Sequence, residues 1–176
     1  SPESEHRGLH HREVRLMPSV VRREFDLELD DLKKKILTMV SMVEEMVGDS
    51  LSALVTRDTA LALAVQKRDR AVDRLEMEVD EAAFRITAIR QPTAGDLRLI
   101  IAALKISTDL ERMGDLAVNI GERVVELNEE PQLKPYIDLP RMAELVQAML
   151  AGSLNCCMAG EARKARAILA ADAAVD

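Results

Sequence analysis

Apolar residues recur along the first half of the chain with the period of about 3.5 residues that is typical of packed helices. Between residues 20 and 55 this pattern predicts one long helix with its apolar positions at Phe25, Leu29, Leu32, Ile36, Met39, Val43, Met46 and Leu54. Over 58–90 it predicts a second helix, capped by Asp58, with apolar positions at Leu61, Val65, Val72, Leu75, Val79, Ala82, Ile86 and Ile89.

Proline and glycine divide the rest of the chain. In "RQPTAGD", Pro92 ends one helix and opens a third, expected over 93–128, where Thr93 and Asp96 suit a variant of the capping box. The segment "NEEPQLKPYIDLP" contains three prolines and predicts a linker at 129–139. A fourth helix is expected at about 141–158, and a fifth from Gly160 onward.

The sequence repeats weakly when it is shifted by 103 residues. Met39 then falls on Met142, Met46 falls on Met149, and "DRAVD" falls on "DAAVD" at the end of the chain. The predicted fold is therefore all-α and consists of tandem three-helix bundles. The expected division is a flexible tail (1–19), a first bundle (20–128), the linker (129–139) and the truncated start of a second bundle (140–176).

Composition narrows the class of protein. The 176 residues are 48% hydrophobic and 31% charged, and only 2% are aromatic, a balance that favours packed helices. The net charge of −7 excludes a basic footprint for nucleic acid and is compatible with cations or basic partners. No apolar run reaches the roughly 18 residues of a transmembrane segment. The adjacent Cys156 and Cys157 suit small apolar fillers in a reducing compartment, which predicts a cytoplasmic protein.

Acidic residues line one face of the second helix. Asp69, Asp73, Glu76 and Asp80 are spaced by four, three and four residues, and the last three each follow an apolar position. Like charges at this spacing repel by about 0.2–0.5 kcal/mol per pair. A cation that neutralises the row is therefore expected.

The third helix carries a second row of oxygen ligands at Glu111, Asp115 and Asn119. Glu111 lies on an apolar stripe, two turns after Leu104 and two turns before Val118. Antiparallel packing of the two helices would bring both rows together, and we expect Asp73, Glu111 and Asp115 to lie within metal-bridging distance.

Ligands without histidine or cysteine suit Mg²⁺, Ca²⁺, Mn²⁺ or an iron cluster. The same DxxxD spacing returns at Asp172 and Asp176. The alternative is that nearby cations neutralise the acids through salt bridges; the candidates are Arg70, Arg74, Lys105, Arg112 and Arg123.

Four segments closely resemble the PhoU family of phosphate-uptake regulators: "MVEEM", "VDRLEMEVDEAAFRI", "RQPTAGDLRLIIAALKI" and "DLERMGDLAVNI". The resemblance covers about 20–176 and implies two similar three-helix bundles with iron or zinc clusters on their surfaces. The matching metal positions are Asp69, Asp73, Glu111 and Asp115, with Glu76, Asp80 and Asn119 as further candidates. Asp172 and Asp176 match the second site, whose partner motif is absent from this chain.

The resemblance implies a regulator and no catalytic activity. Its expected partners are the ATPase subunit of a phosphate ABC transporter and a phosphate-sensing histidine kinase, with a homodimer as the expected assembly. These contacts would recruit a cytoplasmic protein to the inner face of the membrane. Two alternatives stay open: a metal-dependent hydrolase of a phosphate compound, with Arg98, Lys105 and Arg112 as a basic row, and a metal-free helical scaffold.

Overall fold

The computed structural model describes residues 19–132 and 136–159, which form four helices. They are α1 (Ser19–Thr56), α2 (Thr59–Arg90), α3 (Ala94–Asn128) and α4 (Asp138–Ala159). No strand occurs in these two ranges. The all-α prediction is confirmed, and the first three helices end within one residue of the predicted limits. The tail at 1–18, the fifth helix and the DxxxD at Asp172 and Asp176 lie outside the described residues.

The first three helices pack against one another in pairs and bury apolar columns whose members recur every seven residues. Val72 and Val79 of α2, for example, are fully buried, as is Met39 of α1. On α3 the two buried columns are Ile100, Ser107, Gly114, Gly121 and Ala103, Leu110, Ala117, Val124. Small residues fill five of these eight α3 positions, and they let the neighbouring helices approach closely.

Some predicted core positions are wrong or only partly buried. Ile89 is 64% exposed because it lies in the last turn of α2, where Ile86 and Ala83 already fill the core. Four other predicted positions pack at the edge of the core instead of inside it: Ile36, Leu54, Leu61 and Leu75.

Side chains close the helix ends near each turn. Asp58 caps α2 as predicted, because its Oδ1 accepts the backbone N–H of Leu61 at 3.0 Å. Thr93 occupies the N-cap of α3 but makes no side-chain cap; its hydroxyl donates to Oδ2 of Asp96 at 2.7 Å instead. Arg57 has a left-handed φ of 58°, and its guanidinium donates to the carbonyl of Leu127 at 2.7 Å.

Helix α4 begins at Asp138, so the predicted linker is shorter than expected at its C-terminal end. Pro140 does not prevent this, because residues in the first helical turn need no backbone N–H partner. The helix packs on α1 and buries Ala143, Leu150 and Cys156. The burial of Cys156 confirms its reading as an apolar filler. Within the described ranges, no helix is long and apolar enough to cross a membrane.

Candidate metal centre

Three contacts fix the register between α2 and α3. A Cβ built on Gly121 would lie 3.1 Å from the carbonyl oxygen of Ala62, and one on Gly114 would lie 3.8 Å from Oδ1 of Asp69. One further step along, the Thr108 hydroxyl donates to Oε1 of Glu76 at 3.4 Å. From one contact to the next, the residue number rises by seven on α2 and falls by seven and then six on α3. The two helices are therefore antiparallel, as the pairing of the acid rows required.

This register places two acids in a core column of α2. The column reads Ala62, Asp69, Glu76 and Ala83. Its two alanines are buried, whereas both acids between them are half-buried. The sequence pattern placed Glu76 beside the core, and its half-buried side chain agrees with that placement. Glu76 and Asp69 interrupt an otherwise apolar seam where small residues of α3 lie opposite.

Glu111 lies one column away from the position that its sequence pattern suggested. The buried residues beside it are Leu110 and Gly114, while the column of Leu104, Glu111 and Val118 is half-buried along the edge. After Asp115 of its own helix, the charges that raise the pKa of Glu111 come from Glu76, Asp73 and Asp69, so this edge faces α2. Glu111 therefore borders the core and points its charge toward the seam.

The acids of the two helices share one electrostatic field. Burial raises the pKa of Asp69, and the charges of Asp73 and Asp115 raise it further. Burial also raises the pKa of Glu111, followed by the charges of Asp115, Glu76, Asp73 and Asp69. Burial and neighbouring carboxylates on both helices therefore disfavour the charged forms of Asp69 and Glu111. A bound cation would relieve that repulsion.

Basic side chains do not neutralise this cluster in the described part of the chain. Arg112 lies 3.9 Å from Asp109, and Arg123 lies 2.6 Å from Glu126, so both turn to residues of their own helix. None of the ion pairs among residues 19–132 and 136–159 uses any of the five acids. The salt-bridge alternative therefore finds no support there.

The acids are gathered but do not yet form a coordination sphere. Over the ranges that the structure describes, no three Asp, Glu, His or Cys side chains converge closely enough to hold a metal ion. The further candidates Asp80 and Asn119 are exposed. The Thr108 hydroxyl, which donates to Glu76, is a further oxygen atom beside the acids that the sequence pattern missed; its position one turn before Glu111 was the available signal.

The chemistry of the site nevertheless fits a cation. All five acids offer hard oxygen atoms, and the buried Gly114 of α3 adds no side chain beside Asp69. A methyl group at this position would lie 3.8 Å from Oδ1 of Asp69, which is an ordinary contact distance.

Comparison with known proteins assigns the chain to one family. A family model described as the PhoU domain matches residues 36–124, a span that includes both acid rows. The chain belongs to the PhoU family. The PhoU domain thus covers all of α2 and most of α1 and α3.

Relatives and solved structures agree with this assignment. The chain is 38% identical over 149 residues to a phosphate-specific transport system accessory protein PhoU homolog of Aquifex aeolicus. The aligned residues are 85% of this chain and 67% of the relative. A homolog from Pseudomonas aeruginosa is 35% identical over 157 residues, 89% of this chain and 65% of the relative.

The crystal structure of PhoU from Pseudomonas aeruginosa superposes with a TM-score of 0.78 and 36% identity, covering 81% of this chain and 69% of that one. PhoU from Streptococcus pneumoniae, described as a phosphate transport system regulatory protein, superposes with a TM-score of 0.74 and 30% identity, over 82% and 68% of the two chains. The chain thus spans about two thirds of the length of these PhoU proteins.

Proposed function

We propose that this chain regulates phosphate transport and restrains phosphate-starvation signalling through protein contacts. The relatives named as transport-system accessory proteins support this proposal. The proposed partners are the ATPase subunit of a phosphate ABC transporter and a phosphate-sensing histidine kinase. The proposed setting is the cytoplasm, with the chain acting as a homodimer and without catalytic activity of its own.

A metal ion or cluster between α2 and α3 is the second element of the proposal. Asp69, Asp73 and Glu76 of α2 would hold it together with Glu111 and Asp115 of α3. Iron or zinc follows from the family resemblance, and Mg²⁺, Ca²⁺ or Mn²⁺ from the hard oxygen ligands. When bound, the metal would supply positive charge that neutralises the carboxylates and links the two helices. The observation that carries this proposal is the acid pair that interrupts the core column of α2 and forms no ion pair within 19–132 and 136–159.

The regulatory role is tested by phosphate uptake. We would express the chain in a bacterium that lacks its own PhoU and measure the uptake of radiolabelled phosphate. The expected result is slower uptake with the wild-type chain than with an empty vector. Uptake equal to that of the empty vector would contradict a regulatory role for this chain.

The metal is tested by melting the purified protein with a chelator and then with added Fe³⁺, Zn²⁺, Mn²⁺, Ca²⁺ or Mg²⁺. Binding to the folded state alone raises its stability by about 2.7 kcal/mol when the metal is at 100 times its Kd. Glu111→Gln and Asp69→Asn should each lose most of this gain. Glu81→Gln is the matched control, because Glu81 is an exposed acid on α2 outside the seam.

Three outcomes of the melting experiment are informative. Loss of the metal effect in the two seam variants alone supports the site. Equal metal-induced stabilisation of all four proteins would mean that neither seam acid is a ligand. No stabilisation of the wild type by any metal would favour the metal-free scaffold.

A further inference from the structure

A second surface of the bundle lies on the opposite side of α3 from the acids. An open groove of about 420 Å³ runs between α1 and α3. Its lining is almost entirely apolar, and its residues are Leu32, Lys33, Ile36, Leu37, Leu99, Ala102, Ala103 and Ile106. We call it the α1–α3 groove. Leu37 is 38% exposed in its wall, and Ala102 is exposed at its rim.

The α1–α3 groove adjoins the apolar cluster to which α4 also contributes. Leu150 of α4 belongs to the same apolar cluster as Val47 of α1, and Ile106 of α3 packs against that cluster. Ile106 also lines the groove, so the two surfaces are continuous. α4 lies beside the C-terminal part of α1, where Gln147 approaches Gly48. The groove, which lies toward the N-terminal end of α1, therefore offers similar apolar packing to a second helix.

The rim of the groove is basic, although the chain as a whole has a charge of −7. On α1, Lys33 lines the groove and Lys34 follows it; on α3, Arg98 and Lys105 lie one turn before and one turn after Ala102. All but Lys33 belong to no ion pair among the described residues.

The acids near the rim do not cancel this charge. Asp30 lies 3.3 Å from Lys33, but both side chains are more than half exposed, so the pair is weak. Asp109, one turn after Lys105, lies 3.9 Å from Arg112. The groove therefore combines an apolar floor with cations on both walls.

We propose that the α1–α3 groove binds an acidic amphipathic helix of a partner protein. Apolar side chains of that helix, one turn apart, would enter the groove, and its Glu or Asp residues would meet Lys34, Arg98 and Lys105. This inference rests on the proposed function, because a regulator that acts by contacts needs a docking surface. It names the chemistry of one such contact, on a face separate from the candidate metal centre.

The test uses the whole chain and a fluorescent peptide of about 15 residues, which spans about 22 Å as a helix. The probe carries Leu on one face and Glu on its flanks, and fluorescence anisotropy measures its Kd. A second peptide replaces every Glu by Lys, and a third scrambles the order so that the apolar face is lost. The acidic amphipathic peptide should bind at least about tenfold more tightly than either control peptide.

Variants locate the binding surface. Ala102→Trp fills the groove from an exposed position and should weaken binding at least about tenfold, while Ala88→Trp, at an exposed alanine of α2, should leave it unchanged. The double variant Arg98→Glu and Lys105→Glu should weaken it similarly. Circular dichroism checks folding, and Leu37→Asn replaces Ala102→Trp if that variant does not fold.

Several outcomes would overturn the proposal. They are equal binding of the acidic, basic and scrambled peptides, or unchanged binding to the groove variants. A dimer of the wild type that Ala102→Trp converts to a monomer, without any peptide binding, would assign the groove to a second copy of the chain. The peptide assay needs neither a transporter nor a metal, so a failure of the groove is separable from a failure of phosphate regulation or of the metal site.

Discussion

Two buried glycines of α3 should respond in opposite ways to the same substitution. Gly114 and Gly121 occupy the same column, seven residues apart, and both face α2. A Cβ at Gly114 would meet Met46, Val72 and Asp69 at 3.7–3.8 Å, which is ordinary contact. A Cβ at Gly121 would lie 3.1 Å from the carbonyl oxygen of Ala62, which belongs to helix backbone and cannot rotate away.

The magnitudes follow from two opposing effects. Alanine in place of glycine stabilises a helix interior by about 1 kcal/mol, and this gain applies at both positions. Overpacking a buried contact costs about 1–3 kcal/mol, and this cost applies only at Gly121, where two helix backbones must separate by a few tenths of an ångström. Gly114→Ala should therefore gain about 1 kcal/mol, whereas Gly121→Ala should range from neutral to about 2 kcal/mol less stable.

Urea unfolding followed by circular dichroism measures both variants against the wild type. In thermal melts the same difference corresponds to a Tm about 2–4 °C higher for Gly114→Ala, and a Tm that is unchanged or lower for Gly121→Ala. If Gly121→Ala were as stable as Gly114→Ala, the close approach of Ala62 to α3 would not limit the packing. The register derived from that approach would then need another basis.

Three further variants test the seam and the helix ends. Burial and neighbouring acids raise the pKa of Asp69, so the folded state keeps the Asp69 carboxyl protonated above the unfolded pKa of about 3.9. Stability therefore falls as the pH rises through the folded pKa. In urea titrations without metal, Asp69→Asn should lose less stability than the wild type between pH 4 and 7. The hydrogen bond from Arg90 lowers the pKa of Glu28. The contribution of this carboxylate to folding stability is therefore present at neutral pH and lost as the pH falls through the folded pKa. Glu28→Gln should be less stable than the wild type at pH 7 and equally stable in acid. Arg57→Ala should be less stable than Arg57→Gly by about 1 kcal/mol in urea, since only glycine adopts the φ of 58° freely.

The helices could be predicted from sequence because their signals are local. A period of 3.5 residues and the turn at Pro92 set the three long helices, and Asp58 marked the start of α2 correctly. The start of α4 was misplaced because Pro140 resembles a linker residue but is equally suited to a first helical turn. Periodicity also could not show that Ile89 lies past the end of the core.

The candidate site was harder to predict because it depends on which column of one helix faces another. The sequence showed two rows of acids, and it showed that each row flanks an apolar stripe. Two flanking columns differ by only about 100° of helix rotation, and no local signal distinguishes them. That rotation assigned Glu111 to the core and Glu76 to its border, whereas the structure leaves both side chains half-buried at the border.

The position of Asp69 and Glu76 is difficult to explain by stability alone. Their column begins and ends with buried alanines, and an apolar residue at either position would continue the seam without repulsion. Instead the folded chain holds five carboxylates whose charges oppose one another, opposite a glycine that leaves room beside them. A site that lowers stability in the isolated chain is typical of a binding function, because the missing stabilisation then comes from the ligand. For a cluster of hard oxygen atoms that forms no ion pair among the described residues, the ligand that we propose is a metal cation.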